Sequence, residues 1–185
     1  MNRLPILLFI AVAVILGVSC NMDDTNYWEQ YADWRNANNK WLAEKVAKTD
    51  ADGNPYYIKV VPSWNSQAYV LMHFFNDREL TKNNLSPLSN STIDVKYVGR
   101  TIDNVAFDSS FLRTAPADSV YRANLSNMIE GWSIALQNMH IGDTCEVVIP
   151  YDYAYGSSGS SSIAPYSHLV FGLKLVGIPG YEIKK

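Results

Sequence analysis

Met128-Ile129-Glu130-Gly131-Trp132 opens the one convincing helix in the C-terminal half of the chain, and the reading of this pentapeptide decides the fold. Helical spacing from about Ile129 or Glu130 to Asn138 puts Ile129, Trp132, Ala135, Leu136 and Met139 on one face, and Gly142 supplies a stop. Outside this stretch the period changes. Tyr57–Pro62, Ala68–Phe75, Thr92–Val98 and the alternating run Thr144–Ile149 are rich in β-branched and aromatic residues and predict strands. Asn76–Ser91, mostly Asn, Ser, Asp and Lys, reads as a connecting loop. Strands around one short helix predict an α+β domain in which an antiparallel β-sheet wraps over that helix.

The pentapeptide belongs to an ordered set of short motifs. Val95-Lys96-Tyr97-Val98-Gly99 and Phe107-Asp108-Ser109-Ser110 precede it; Ile149-Pro150, Tyr153-Ala154-Tyr155-Gly156, Ile163-Ala164-Pro165 and Leu169-Val170-Phe171 follow. In order and spacing the set resembles the FKBP-type peptidyl-prolyl cis-trans isomerases over roughly Ala68–Ile178. That family rotates X-Pro amide bonds. The bond turns over a barrier of roughly 18–20 kcal/mol with nothing covalent changing, so the chemistry needs a water-poor slot that favours the twisted amide. No nucleophile, metal or cofactor is required. A sequence with three histidines, no clustered metal ligands and no phosphate-binding glycine loop fits that demand.

The resemblance assigns roles residue by residue. Trp132 would be the platform under the proline ring, and Tyr97, Phe107 and Phe171 the apolar walls. Ile129 would offer its backbone N–H to a substrate carbonyl, a role open to early helical residues whose N–H groups lack partners. Tyr155 would donate its phenol, and Asp108 would bond Tyr97 or polarise the substrate amide. Arg113 would pair with Asp108, while Met128, Ala154 and Ile163 complete the substrate contacts. Tyr97, Asp108 and Tyr155 are the expected catalytic residues. Each has a plainer reading: strand aromatics usually fill cores, Asp108 can cap the turn at Ser109 and Ser110, and Tyr155 can be a turn tyrosine beside Gly156.

Departures from the family pattern carry information too. About two extra residues fall between Arg113 and Met128, and the family's usual Phe-x-Leu-Gly is replaced by Tyr121-Arg122-Ala123-Asn124. One aromatic wall is thus missing or moved, with Val120 or Tyr121 as stand-ins. The serine run Ser157–Ser162, interrupted by Gly159, predicts a mobile flap before Ile163.

The front of the chain says where such a domain would work. Arg3, then an apolar stretch Leu4–Val18 of about 15 residues, is too short to cross a bilayer and suits a signal peptide. Gly17-Val18-Ser19-Cys20 resembles the lipobox of bacterial lipoproteins, which implies lipidation of Cys20 and anchorage in the cell envelope, on the periplasmic or surface face of the outer membrane. An ordinary secretory signal or an uncleaved anchor is the alternative. Cys145, left without a pairing partner, lies in a strand run and reads as a small buried apolar side chain.

Asp24–Lys48 has helical periodicity, with Tyr27, Tyr31, Trp34 and Trp41 on one face and Asp52-Gly53-Asn54-Pro55 as the break. The default partner for this aromatic stripe is the protein's own domain; a homodimer or another envelope protein is the alternative. The resulting organisation is a signal peptide at 1–19, a lipidated tether and aromatic helix at 20–62, an isomerase domain at 63–180 and a tail at 181–185. A net charge of −3 with no basic stripe argues against a nucleic-acid partner. Expected partners are X-Pro segments of unfolded or exported proteins, macrolides such as tacrolimus, and the membrane through Cys20. The expected function is folding assistance by prolyl isomerisation; the alternative is a weakly catalytic peptide-binding module, holdase or adaptor.

Overall fold

The computed structural model describes residues 27–180, so the signal peptide, the Cys20 lipidation site and the tail at 181–185 lie outside the described residues. The chain divides into two compact units, Met1–Gln30 and Tyr31–Lys185. Of the first, only the single helical turn α1, Tyr27–Gln30, is described. The second holds α2 (Ala32–Ala47), β1 (Ile58–Val60), β2 (Val70–Phe74), β3 (Thr92–Arg100), β4 (Ala106–Ser109) and β5 (Tyr121–Asn124). It is completed by α3 (Glu130–Leu136), β6 (Thr144–Ile149) and β7 (Leu169–Gly177).

The seven described strands join one antiparallel sheet, six of them in the order β1-β2-β6-β7-β3-β4 with β5 paired to β3 off that path. β3 carries β7 along one side; along the other it carries β5 over Thr92–Val95 and β4 over Val98–Arg100. This is the expected α+β architecture. Strict alternation along β3 and β7 turns one set of side chains to each face. Ile93, Val95 and Tyr97 of β3, Leu169, Phe171, Leu173 and Leu175 of β7, and Cys145, Val147 and Ile149 of β6 all bury inward. They meet Trp132, Ala135, Leu136 and Met139, the face read from the sequence, together with Ile134. Each such side chain contributes roughly 1.5–3 kcal/mol by leaving water.

Gly131 sets how closely α3 approaches the sheet. A Cβ there would stand 2.3 Å from Ile149 Cγ2, so a methyl group would push helix and strand apart. The helix also ends sooner than its spacing suggests. After Leu136 the chain tightens, with Asn138 and Met139 donating to the carbonyls of Ala135 and Leu136. Gly142, at φ +100°, then turns the chain into β6 rather than capping the helix. Cys145 is fully buried, and desolvation pushes its thiol up to about 12, which keeps it an inert core side chain.

α2 lies on the opposite face of the sheet. Trp41 and Leu42 pack against Tyr57, Leu71 and Val148, so this part of the aromatic stripe lies against its own domain, whereas Tyr27, in the other unit, is exposed. Its most buried residues are nevertheless polar, Arg35 and Asn38. Asn38 accepts the His168 N–H at 2.8 Å, Trp34 Nε1 donates to Ser167 at 3.0 Å, and Arg35 lies 5.6 Å from the Tyr166 ring centre. These contacts join α2 to the segment that leads into β7.

A buried carboxylate secures the loop Asn76–Ser91, which is less irregular than its composition implies and contains a short 3-10 turn, Arg78–Leu80. Asp143 accepts from Thr81 Oγ1 at 2.6 Å, Asn76 Nδ2 at 2.9 Å and the His140 N–H at 2.8 Å, with Arg78 Nε 3.4 Å away. Burial alone would raise its pKa, but these donors and the Arg78 charge outweigh burial and hold it below the ordinary 3.8. The folded-state value is therefore below the unfolded one. The stabilisation is complete above about pH 5 and fades as pH falls through the folded-state value. Asp143→Asn is expected to lower stability at neutral pH by about 1–3 kcal/mol and to flatten the acid limb of a urea-midpoint profile. A variant whose profile parallels that of the parent would show that Asp143 carries no such linkage.

Candidate functional site

The inner face of the sheet is not filled to its end. Between the β3–β4 edge and the N-terminus of α3 lies a cavity of about 250 Å³. Tyr97 from β3, Phe107 and Asp108 from β4, Tyr121 from β5 and Phe171 from β7 surround it. Asn127, Met128 and Ile129 lead into α3, and Trp132 lies one turn further; Arg113 and Tyr155 reach in from loops.

The aromatic residues form a continuous edge-to-face cluster. Trp132 packs against Tyr97 at 5.0 Å between ring centres and against Phe171 at 5.4 Å, with interplanar angles of 82° and 87°. Phe107 meets Phe171 at 5.6 Å and 89°, and Tyr121 meets Tyr97 at 5.8 Å. Such pairs add about 0.5–1.5 kcal/mol each beyond burial and fix the ring orientations. Gly99 makes this packing possible: a Cβ there would lie 2.6 Å from Phe107 Cζ and 2.7 Å from Phe171 Cε1. Trp132 is 4% exposed, so the side chain that lines the cavity is also part of the core. Its Nε1 is buried without a hydrogen-bond partner among the described residues.

The polar groups are few and oriented. Tyr97 donates its hydroxyl to Asp108 Oδ2 at 2.5 Å, while Asp108 Oδ1 accepts the Ser109 N–H at 2.7 Å. Ser110 fastens the same corner, accepting the Tyr97 N–H at 2.9 Å and donating its own N–H to the Tyr97 carbonyl. Burial, then the Asp108 bond, push the Tyr97 phenol well above its ordinary value, so it stays a neutral donor. Burial, with Asp108 and Tyr121 nearby, also raises that of Tyr155. Tyr155 is 38% exposed, and its hydroxyl has no partner among the described residues. Ile129 is the N-cap of α3, and among the described residues its N–H has no acceptor. The cavity thus combines a fixed apolar box with two donors, Tyr155 Oη and Ile129 N, available to a ligand.

Of the residues singled out in the sequence, Tyr97, Phe107, Asp108, Arg113, Met128, Ile129, Trp132, Tyr155 and Phe171 all line this one cavity. Ala154 and Ile163 do not. Ile163 is 3% exposed and packs in the core, because the serine-rich flap closes on itself: Ser160 and Ile163 exchange backbone hydrogen bonds, and Gly159, at φ +67°, donates to the Tyr155 carbonyl. Ala154 is half-buried against the same core. Arg113 also differs from expectation. Among the described residues it makes no ion pair with Asp108; its guanidinium lies 4.3 Å over the Tyr121 ring.

Tyr121, rather than the buried Val120, supplies the displaced aromatic wall. Its phase on β5 decides this, and the unknown register of β5 against β3 hid it from the sequence. Asn127, a lining residue missed in the sequence, carries no signal beyond its place next to Met128.

Residues 84–176 match the family described as FKBP-type peptidyl-prolyl cis-trans isomerase. Among curated relatives, the macrophage infectivity potentiator of Trypanosoma cruzi is 42% identical over 94 residues, 50% of this chain and 46% of that protein. The FKBP-type peptidyl-prolyl cis-trans isomerase FkpA of Escherichia coli K12 is 31% identical over 139 residues, 75% of this chain and 43% of that protein. The chain therefore spans less than half the length of either relative. A solved peptidyl-prolyl cis-trans isomerase from Pseudomonas syringae superposes with a TM-score of 0.62 at 29% identity, covering 80% of this chain and 95% of that one.

Gly99→Ala tests the cavity's construction. The added methyl must displace Phe107 or Phe171, so overpacking is expected to cost about 1–3 kcal/mol in urea unfolding. The near-UV circular dichroism of the Tyr97–Trp132–Phe171 cluster should weaken with it. An unchanged near-UV spectrum would contradict the close approach.

Proposed function

This chain belongs to the FKBP-type peptidyl-prolyl cis-trans isomerase family, and from that premise we propose that it speeds cis-trans rotation of X-Pro bonds in unfolded polypeptides, in the cavity over Trp132. Uncatalysed, that rotation takes tens to hundreds of seconds. The planar amide is the more dipolar form, because resonance places charge on its oxygen and nitrogen. Twisting removes the resonance, so a dry aromatic box destabilises the planar ground state relative to the twisted one. The pyrrolidine ring lies on Trp132 between Tyr97, Phe107 and Phe171, which fixes it while the acyl side turns.

Ile129 N–H and Tyr155 Oη hold the carbonyls that flank the turning bond, so rotation is confined to that one bond. Asp108 locks Tyr97 through its hydroxyl and lies beside the turning amide, and Met128 and Arg113 border the entrance. Ala154 and Ile163 act at one remove, by supporting the turn that presents Tyr155. No proton transfer, metal or cofactor enters this scheme. The observation that carries the reading is the convergence of a ring-lined cavity on two donors that have no partner among the described residues, Ile129 N and Tyr155 Oη. The same box would accept the pipecolyl-type ring of a macrolide such as tacrolimus.

Exported proteins are the proposed clients. We read residues 1–19 as a signal peptide and Cys20 as lipidated, which places the 63–180 domain in a bacterial cell envelope at a membrane surface; Cys20 left unlabelled by a fatty-acid analogue would rule this out. A dimer through the Tyr27–Trp41 helix is not adopted, because Trp34 and Trp41 are engaged by their own domain.

Exchange of a Leu-Pro or Phe-Pro tetrapeptide, followed with the purified chain, tests the activity. Acceleration is expected, with kcat/KM reduced about tenfold or more in Asp108→Val and severalfold in Tyr155→Phe, each factor of ten corresponding to about 1.4 kcal/mol. A folded protein that leaves the exchange rate unchanged would overturn the proposal.

A further inference from the structure

The outer face of the sheet carries a second concavity, of about 270 Å³, where α2 stops short of covering the strands. Its floor is Val170 and Gly172 of β7 beside Glu146 of β6; Trp41 and Lys45 of α2 lie to one side, and Arg100 at the end of β3 with Ile102 in the turn after it lie to the other. Gly172 lets the floor sink. A Cβ there would meet only Val98 Cγ1, at 3.6 Å, so packing does not demand a glycine and its effect is to leave space above the sheet. Phe75, at one end, packs edge-on against His73 and is 59% exposed, which leaves apolar surface open beside the cleft.

The charges in this cleft do not balance. Lys45 Nζ donates to Tyr57 Oη at 3.2 Å, and Tyr57 in turn donates to Glu146 Oε1, so the Lys45 and Glu146 charges offset one another through that hydroxyl. Arg100 is left over. It is half-buried, and among the described residues its guanidinium has no hydrogen bond, ion pair or ring contact. A half-buried guanidinium without a partner favours a carboxylate, because Arg takes a carboxylate in a two-toothed arrangement, and Phe75 and Ile102 offer apolar surface in the same cleft. The backbone of β7 is paired on both sides by β6 and β3, so recognition here uses side chains and not strand addition.

We propose that this cleft is a second polypeptide site, one that takes an extended client segment carrying an acidic residue next to a large apolar one. That the occupant is polypeptide rests on the isomerase reading; the charge and shape preference rests on Arg100, Gly172 and Phe75. The two sites lie back to back. Gly172 follows Phe171 and Arg100 follows Gly99, and successive strand residues face opposite sides of the sheet. A client held at Arg100 therefore stays tethered while its X-Pro bonds visit the cavity, which raises their local concentration.

The test uses acetyl-Ala-Leu-Asp-Phe-Ala-amide, which has no proline, titrated into the full chain by isothermal titration calorimetry at low salt. Saturable binding is expected. It should weaken about five- to tenfold in Arg100→Gln and for the peptide with Asn in place of Asp, and should return only in part in Arg100→Lys, which keeps the charge but not the two-toothed geometry. Saturating tacrolimus should not displace the peptide. Arg100→Gln breaks no hydrogen bond or ion pair among the described residues and lies on the face of the sheet away from Trp132, so its exchange rate on a Leu-Pro tetrapeptide should equal that of the parent. Absence of saturable binding, equal binding by Arg100→Gln, or displacement by tacrolimus would overturn the proposal. Peptide binding intact in a chain that does not accelerate X-Pro exchange would overturn the isomerase reading and leave this site standing.

Discussion

The contact between α3 and the concave face of the sheet determines everything else in this domain. A helix of only 7 residues has no stability of its own in water; it exists because Trp132, Ile134, Ala135 and Leu136 bury against β2, β3, β6 and β7. Gly131 lets the helix sit against Ile149, and that depth places Trp132 edge-on to Tyr97 and Phe171. The same packing that holds the core together therefore constructs one wall of the cavity. Short helices also leave a large share of their N–H groups unpaired, which is how Ile129 comes to offer one at the cavity's rim.

Apolar order and polar economy divide the work around that contact. Rings meeting edge to face exclude water and hold a shape, while very few hydrogen-bonding groups are admitted. Those present are either satisfied internally, as Tyr97 is by Asp108, or left open towards the cavity, as at Tyr155. Neither Cys145, with its raised pKa, nor any histidine lines the cavity. Such a box suits a reaction in which a bond rotates without breaking.

Much of the fold was legible because its signals are local. The strand patterns of Thr92–Val98 and Thr144–Ile149 fix which side chains face inward, and the Gly131-Trp132 pair marks the helix that they cover, whereas β7, Leu169–Gly177, was legible only through the family motif Leu169-Val170-Phe171. What escaped depends on long-range register or on polar burial. Tyr121 enters the cavity through the pairing of β5 with β3, which no local pattern announces. Arg113 finds the Tyr121 ring instead of Asp108, a choice between two nearby partners that spacing cannot settle. Ile163 goes into the core because Gly159 and Ser160 close the flap, whereas a serine-rich composition suggests freedom. On α2, an aromatic stripe pointed to the correct face, but Arg35 and Asn38 are its most buried members; buried polar residues are read only once their partners, here Tyr166 and His168, are known.

The central claim is that X-Pro bonds turn on the Trp132 platform beside the Ile129 amide. One nitrogen–proton exchange spectrum of the labelled chain, recorded while a Leu-Pro peptide is titrated in, tests it most directly. The buried Trp132 Nε1–H and the Ile129 N–H should shift together and saturate at one peptide concentration, while cis and trans peptide signals begin to exchange within the mixing time. Shifts confined to the indoles of Trp34, Trp41 or Trp64, with Trp132 and Ile129 unmoved, would contradict the account.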